Sequence, residues 1–208
     1  MRAMLPRYTI LTKNLLSEEL PVARDSDPTP ICLACGFCCD DTLFELATAK
    51  GNDSVESLVQ IGLRALTNDA GVATGFPLPC PNFIGMQCSV YENRPTVCRT
   101  FRCQLLKDVQ RGTYSVPEAR QIALSTRALR DQLAPELDSM YRDAGVAGEG
   151  SSVISRLAAM VPLLTGQTDE FREKHGASFM VGMSLLIRLR SYFNPVKKTP
   201  KETSQPRD

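Results

Sequence analysis

The sequence predicts a mainly α protein in which a small, irregular, cysteine- and metal-nucleated domain packs on a helical C-terminal scaffold. Three observations carry that expectation. All eight cysteines fall between Cys32 and Cys103, in a stretch with little apolar periodicity. Most of the chain after Tyr114 shows helix-period apolar faces behind good capping residues. Apolar residues make up 43% of the 208 positions, enough for a core that does not rest on metal alone. The expected units are a lead-in over 1–29, a cysteine domain over 30–110, a helical region over 111–195 and a disordered polar tail over 196–208.

The elements follow in order. The lead-in carries Pro6, Pro21, Pro28 and Pro30, which leaves room for one short helix around Leu11 to Leu20. Asp53 and Glu56 have capping-box spacing ahead of Val55, Leu58, Val59, Leu63 and Leu66, so a helix of about three turns is expected there. Thr67 to Pro81, rich in Gly and Pro, reads as a loop delivering Cys80. Cys80 to Cys103 reads as irregular, held by ligation. Ser115 and Glu118 form a further capping box, with Pro117 tolerated in the first turn and Pro135 as the stop. Ala119, Ile122, Ala123, Leu129 and Leu133 make its apolar face. Ala144 to Gly150 is a break. Ser152 caps a helix through Val153, Ile154, Leu157, Ala158, Val161 and Leu164, bent near Pro162. Thr168 or Asp169 starts the last helix, with Phe171, Phe179, Met183, Leu186 and Ile187 near one face, and Asn194 with Pro195 stops it. Met140, Met160, Met180 and Met183 have core spacing and read as packing residues.

Composition excludes several functions. A net charge of +1 gives no electrostatic case for nucleic acid, and the absence of Trp removes the best base-stacking side chain. No stretch approaches the length of a membrane span. Met1 to Pro30 lacks the apolar segment of a secretory signal, so a cytoplasmic location is expected. A reducing compartment disfavours disulfides and favours metal thiolates.

The cysteines carry the chemistry. Cys32, Cys35, Cys38 and Cys39 have the spacing C-x2-C-x2-C-C, with Gly36 supplying a tight turn. Cys80, Cys88, Cys98 and Cys103 follow. A C-x2-C-x2-C run resembles the opening of a ferredoxin site, and a C-x2-C pair is equally a zinc-ribbon knuckle. Vicinal Cys38 and Cys39 diverge, so they serve two ions, or one binds and the other packs. Eight sulfurs can build two four-cysteine zinc sites, one binuclear site, or one iron–sulfur cluster with spare thiols. His175, the only histidine, follows Glu173 and Lys174 and reads as a solvated helix-face residue. Asp40 and Asp41 are vicinal carboxylates suited to a turn or to supporting the site.

Residues 32–39, the Cys80-Pro-Asn-Phe turn and the run from Cys88 through Tyr91, Glu92, Arg94, Pro95, Cys98, Arg99 and Phe101 to Cys103 resemble the YkgJ-type CxxCxxCC cysteine-cluster family. The resemblance spans about residues 32 to 103. It implies a zinc- or iron-chelating domain, with all eight cysteines as ligands. Flagellin lysine methylases carry a similar motif, associated with an iron–sulfur cluster and S-adenosylmethionine, but no Gly-rich nucleotide loop supports that cofactor here. Tyr91, Arg94 and Arg99 are expected around the metal, where guanidinium groups offset thiolate charge. Pairing of the arginines with Asp40, Asp41 or Glu92 is the alternative. The resulting reading is a metal-binding protein, with iron ahead of zinc and a cluster in view. A related metal-dependent enzyme and a zinc-stabilised module with a protein partner are the alternatives. The expected partner is the metal ion, with neither membrane nor nucleic acid.

Overall fold

The computed structural model describes residues 29–146, 151–163, 166 and 168–194, most of them helical, with two small sheets in the cysteine-rich region. This is the predicted class. The Leu11 to Leu20 helix and the 196–208 tail lie outside the described residues, as does most of the expected break after Ala144.

Helix α1 (Thr29–Cys35) opens the cysteine region and packs on α5 (Val116–Leu133). Gly36 ends α1 at φ +72°, and a Cβ there would stand 2.4 Å from the Phe83 ring. Only glycine accepts both the left-handed backbone and that approach. The next helix is shorter than its apolar pattern suggested: α2 covers only Val55–Gln60. Its cap is Ser54, boxed with Ser57, and not Asp53 with Glu56. Asp53 is spent elsewhere. Its carboxylate accepts the Thr96 and Val97 backbone N–H groups at 2.5 and 3.1 Å and so caps α3 (Thr96–Thr100) from a distance.

The expected loop from Thr67 to Pro81 contains a strand instead. In an antiparallel sheet of order β1-β3-β2, β3 (Ala73–Pro77) lies between β1 (Leu46–Thr48) and β2 (Leu66–Thr67). Gly75 lets β1 come close, since a Cβ there would meet the Ala47 carbonyl oxygen at 2.1 Å. The glycine that suggested a loop thus belongs to a strand crossed closely by its neighbour. The region after Cys80 is also more regular than expected. It holds a hairpin of β4 (Phe83–Ile84) and β5 (Gln87–Cys88), a 3-10 turn over Tyr91–Asn93, and then α3.

Helix α4 (Gln104–Gln110) leads to α5, where Ser115 and Glu118 form the predicted box and the helix ends before Pro135. After α6 (Leu137–Asp143), Ser152 caps α7 (Val153–Met160), which tightens to a 3-10 turn over Val161–Leu163 around Pro162. Thr168 caps α8 (Asp169–Arg188), which runs into a π-helical turn over Leu189–Phe193 and ends at Asn194. On α8 two expected core residues are exposed, Ile187 at 65% and Met180 at 66%, because the stripe that packs runs through Phe171, Phe179, Leu185 and Leu186. Val59 and Val161, expected on apolar faces, are exposed too. His175 departs from expectation in the other direction. It is 1% exposed, and its Nε2 lies 2.8 Å from the Asp143 carboxylate. Its charged neighbours suggested solvent, but its position one turn past Phe171 places it on the packed stripe.

There are two hydrophobic cores of unequal size. The larger joins Ile31, Cys35, Phe37 and Leu43 to the helices after Cys103. The smaller has Leu58, Leu63, Phe76 and Val97 at its centre, with Cys80 and Cys98 packed against it. Among the described residues no helix is long and apolar enough to cross a membrane.

Candidate metal centre

Each half of the cysteine region brings its thiols inward by a different local device. Cys32 and Cys35 are i, i+3 on α1 and so share a face. The turn after Gly36 is closed by the Cys39 and Asp40 N–H groups, which donate to the Gly36 carbonyl at 2.8 and 3.2 Å. It carries Cys38 and Cys39. In the second half, Cys80 precedes the hairpin and Cys88 ends it, Cys98 lies inside α3 and Cys103 immediately precedes α4. The halves are joined where the Cys80 N–H donates to the Cys39 carbonyl at 2.7 Å. All eight thiols line one cavity of about 310 Å³, whose remaining wall is mainly apolar and includes Phe37, Phe44, Phe76, Phe83 and Phe101.

Cys35, Cys38 and Cys103 belong to the large core, and Cys80 and Cys98 to the small one. Electrostatics follows this grouping in part, with Cys38 also repelled by its neighbour Cys39. Burial pushes the Cys35 and Cys38 thiols well up, and repulsion from Cys32 and Cys103 adds to it in both. Cys39 is raised to about 12, first by burial and then by Cys80, Cys98 and Cys88. Cys98 reaches about 12 from burial and then from Cys80 and Cys88. Burial also raises Cys80 and Cys103, the latter partly offset by backbone N–H groups of Leu106 and Leu105. Cys35, Cys38 and Cys103 thus lie on the side of the large core, and Cys80 and Cys98 on the side of the small one, with Cys39 repelled most by the latter group.

The donor chemistry suits a soft or borderline metal. None of the eight cysteines is in a disulfide, and all but Cys32 are at least partly buried, where a cation would relieve both burial and mutual repulsion. They stand around the cavity wall: among the described residues, no three Cys, His, Asp or Glu side chains are closed up as they would be around a single ion. His175 is not in the cavity lining.

Of the three residues expected around the metal, Tyr91 and Arg94 line the thiol cavity, while Arg99 lines a separate polar pocket. Arg94 stacks on Tyr91, 3.5 Å from the ring centre, and its Nε donates to the Tyr91 carbonyl at 2.8 Å. The two aspartates after the first cluster have other partners. Asp40 accepts from Arg127 at 2.5 Å, and Asp41 lies 3.9 Å from Arg130. Arg127, which the sequence reading missed, also donates to the Cys35 carbonyl at 3.2 Å. Its only sequence signal was its place, with Arg130, beside the buried α5 stripe of Ala119, Ala123 and Thr126.

No curated protein and no solved structure shows significant similarity to this chain. Residues 31–120 match the model of the family described as "CxxCxxCC: Putative zinc- or iron-chelating domain".

Proposed function

Because residues 31–120 match the model of a zinc- or iron-chelating family, we propose that the protein chelates iron through its eight cysteine thiolates, arranged as two sets of four. Cys32, Cys35, Cys38 and Cys103 make one set, and Cys39, Cys80, Cys88 and Cys98 the other. The observation that carries this reading is that all eight cysteines line one cavity and none is in a disulfide. Four thiolates are the usual complement of an iron–sulfur cluster and of a structural zinc site alike.

The all-cysteine donor set, opened by C-x2-C-x2-C and followed at a distance by Cys80-Pro81, favours iron in clusters. Zinc is also satisfied by four cysteines. In either case the metal supplies positive charge that neutralises buried thiolates. The protein supplies the apolar wall, and Arg94, lining the same cavity, offsets residual negative charge.

Anaerobic purification of the full chain, followed by iron, zinc and acid-labile sulfide analysis with a visible spectrum, tests the proposal. Iron and sulfide with absorption that bleaches on dithionite is the expected result. Stoichiometric zinc in a colourless protein from metal-replete cells would replace iron by zinc, and neither metal would end the chelation reading.

A further inference from the structure

We propose that the protein has a second binding site, for a small oxyanion of the carboxylate or phosphate class, in the polar pocket between α2 and the Asn93–Arg99 segment. This pocket has a volume of about 440 Å³, within the size range of small-molecule sites. Its cations are Arg94 and Arg99, with the amides of Asn52, Gln60 and Asn93 alongside them.

Two arginines face one acid in the pocket, so its charge balance is positive. Its single acid, Asp53, turns both carboxylate oxygens to backbone donors: Oδ1 to the Thr96 N–H, and Oδ2 to the Val97 and Lys50 N–H groups. That carboxylate is already occupied and does not serve the two arginines. Among the described residues neither Arg94 nor Arg99 pairs with a carboxylate, whereas Arg111, Arg127, Arg130, Arg156 and Arg172 all do. The contact made by Arg99 is one donation to the Thr96 hydroxyl at 3.4 Å.

Arg94 is also held in place before any ligand arrives. Its Nε donates to the Tyr91 carbonyl and its plane rests on the Tyr91 ring. That leaves the terminal nitrogens as a fixed fork, the geometry that recognises two oxygens of a carboxylate or phosphate. A preorganised guanidinium loses little freedom on binding. Because Arg94 lines the thiol cavity as well, an anion here would sit within one side chain of the cysteine sites. The binding claim itself does not depend on which metal those sites take.

Isothermal titration of the full-length protein as purified, at low salt, with inorganic phosphate in one arm and citrate in the other, tests this. Saturable one-site binding in at least one arm is expected, and the stronger arm identifies the oxyanion class. Arg94→Gln and Arg99→Gln should each weaken it about tenfold, and Arg120→Gln on the exposed face of α5 should leave it unchanged. Arg99 is exposed, so its variant separates lost binding from lost folding, with far-UV circular dichroism and metal content as checks. No heat in either arm, or binding that both pocket variants leave intact, overturns the proposal.

Discussion

Asp143 governs how the buried His175 is accommodated. The hydrogen bond from His175, then that from Lys174, holds the Asp143 carboxyl down at about 2. An unfolded aspartate titrates near 3.9. The folded value is therefore depressed, so the stabilisation is fully present above the unfolded pKa and is lost as pH falls through the folded one. Wild type and Asp143→Asn should thus differ in urea midpoint by a constant amount above about pH 5, and the gap should close towards about pH 2. A gap independent of pH would show that the pair contributes nothing through its charge. Neither member of this pair was legible in the sequence as a partner of the other, because 32 positions separate them. The caps at Ser115, Ser152 and Thr168 were legible because their partners lie within one turn. Ser54 was missed for a related reason: Asp53 beside it is an equally good cap by residue type, and only the distant N–H groups of α3 decide which of the two enters α2.

At the scale of elements, α5 holds the first cysteine turn by polar as well as apolar contacts. Arg127 and its partner Asp40 are mostly shielded, with side-chain exposures of 17% and 11%. The same guanidinium reaches the Cys35 carbonyl. Arg127→Met keeps the aliphatic stem but leaves Asp40 without this cation, which should cost about 2–3 kcal/mol. Chemical denaturation measures that directly, and a loss below about 0.5 kcal/mol would reduce the bridge to an ordinary surface pair. Helices α5, α7 and α8 were readable because capping and apolar period are local signals. The short α1, α3, α4 and α6 carry too few residues for either signal. The strand β3 was not readable either, since its five residues are ordered by pairing with β1 and β2 on either side. The expected chemistry of the cysteines likewise came from their spacing, whereas their gathering around one cavity depended on the fold.

For the whole molecule, the unequal cores predict unequal dependence on metal. Cys39, Cys80, Cys88 and Cys98 belong to a segment whose own buried cluster is Leu58, Leu63, Phe76 and Val97. The other set is rooted, through Ile31, Cys35, Phe37 and Leu105, in the core of the C-terminal helices. Structural metal in small domains contributes about 10–16 kcal/mol of apparent binding free energy, more than a small core supplies. A strong chelator, or Cys98→Ser, should therefore remove hydrogen-exchange protection from residues 54–100 while α5 and α8 keep theirs. Uniform loss would mean one cooperative unit. The line of division proposed here differs from the one expected near residue 110, because α1 packs on α5 and shares the large core with the helices after Cys103.

In the proposed arrangement Cys38 and Cys39 serve different sets across a single peptide unit, which spans only about 3.8 Å between α-carbons. The Cys39 carbonyl is in turn tied to the Cys80 N–H. A tether this short has no slack. Whichever set closes first fixes the backbone that presents the other set's donor, so part of the ordering cost of the second event has already been met. Filling of the two sets would then be mutually reinforcing, and half-loaded protein would be a scarce species at every stage of maturation.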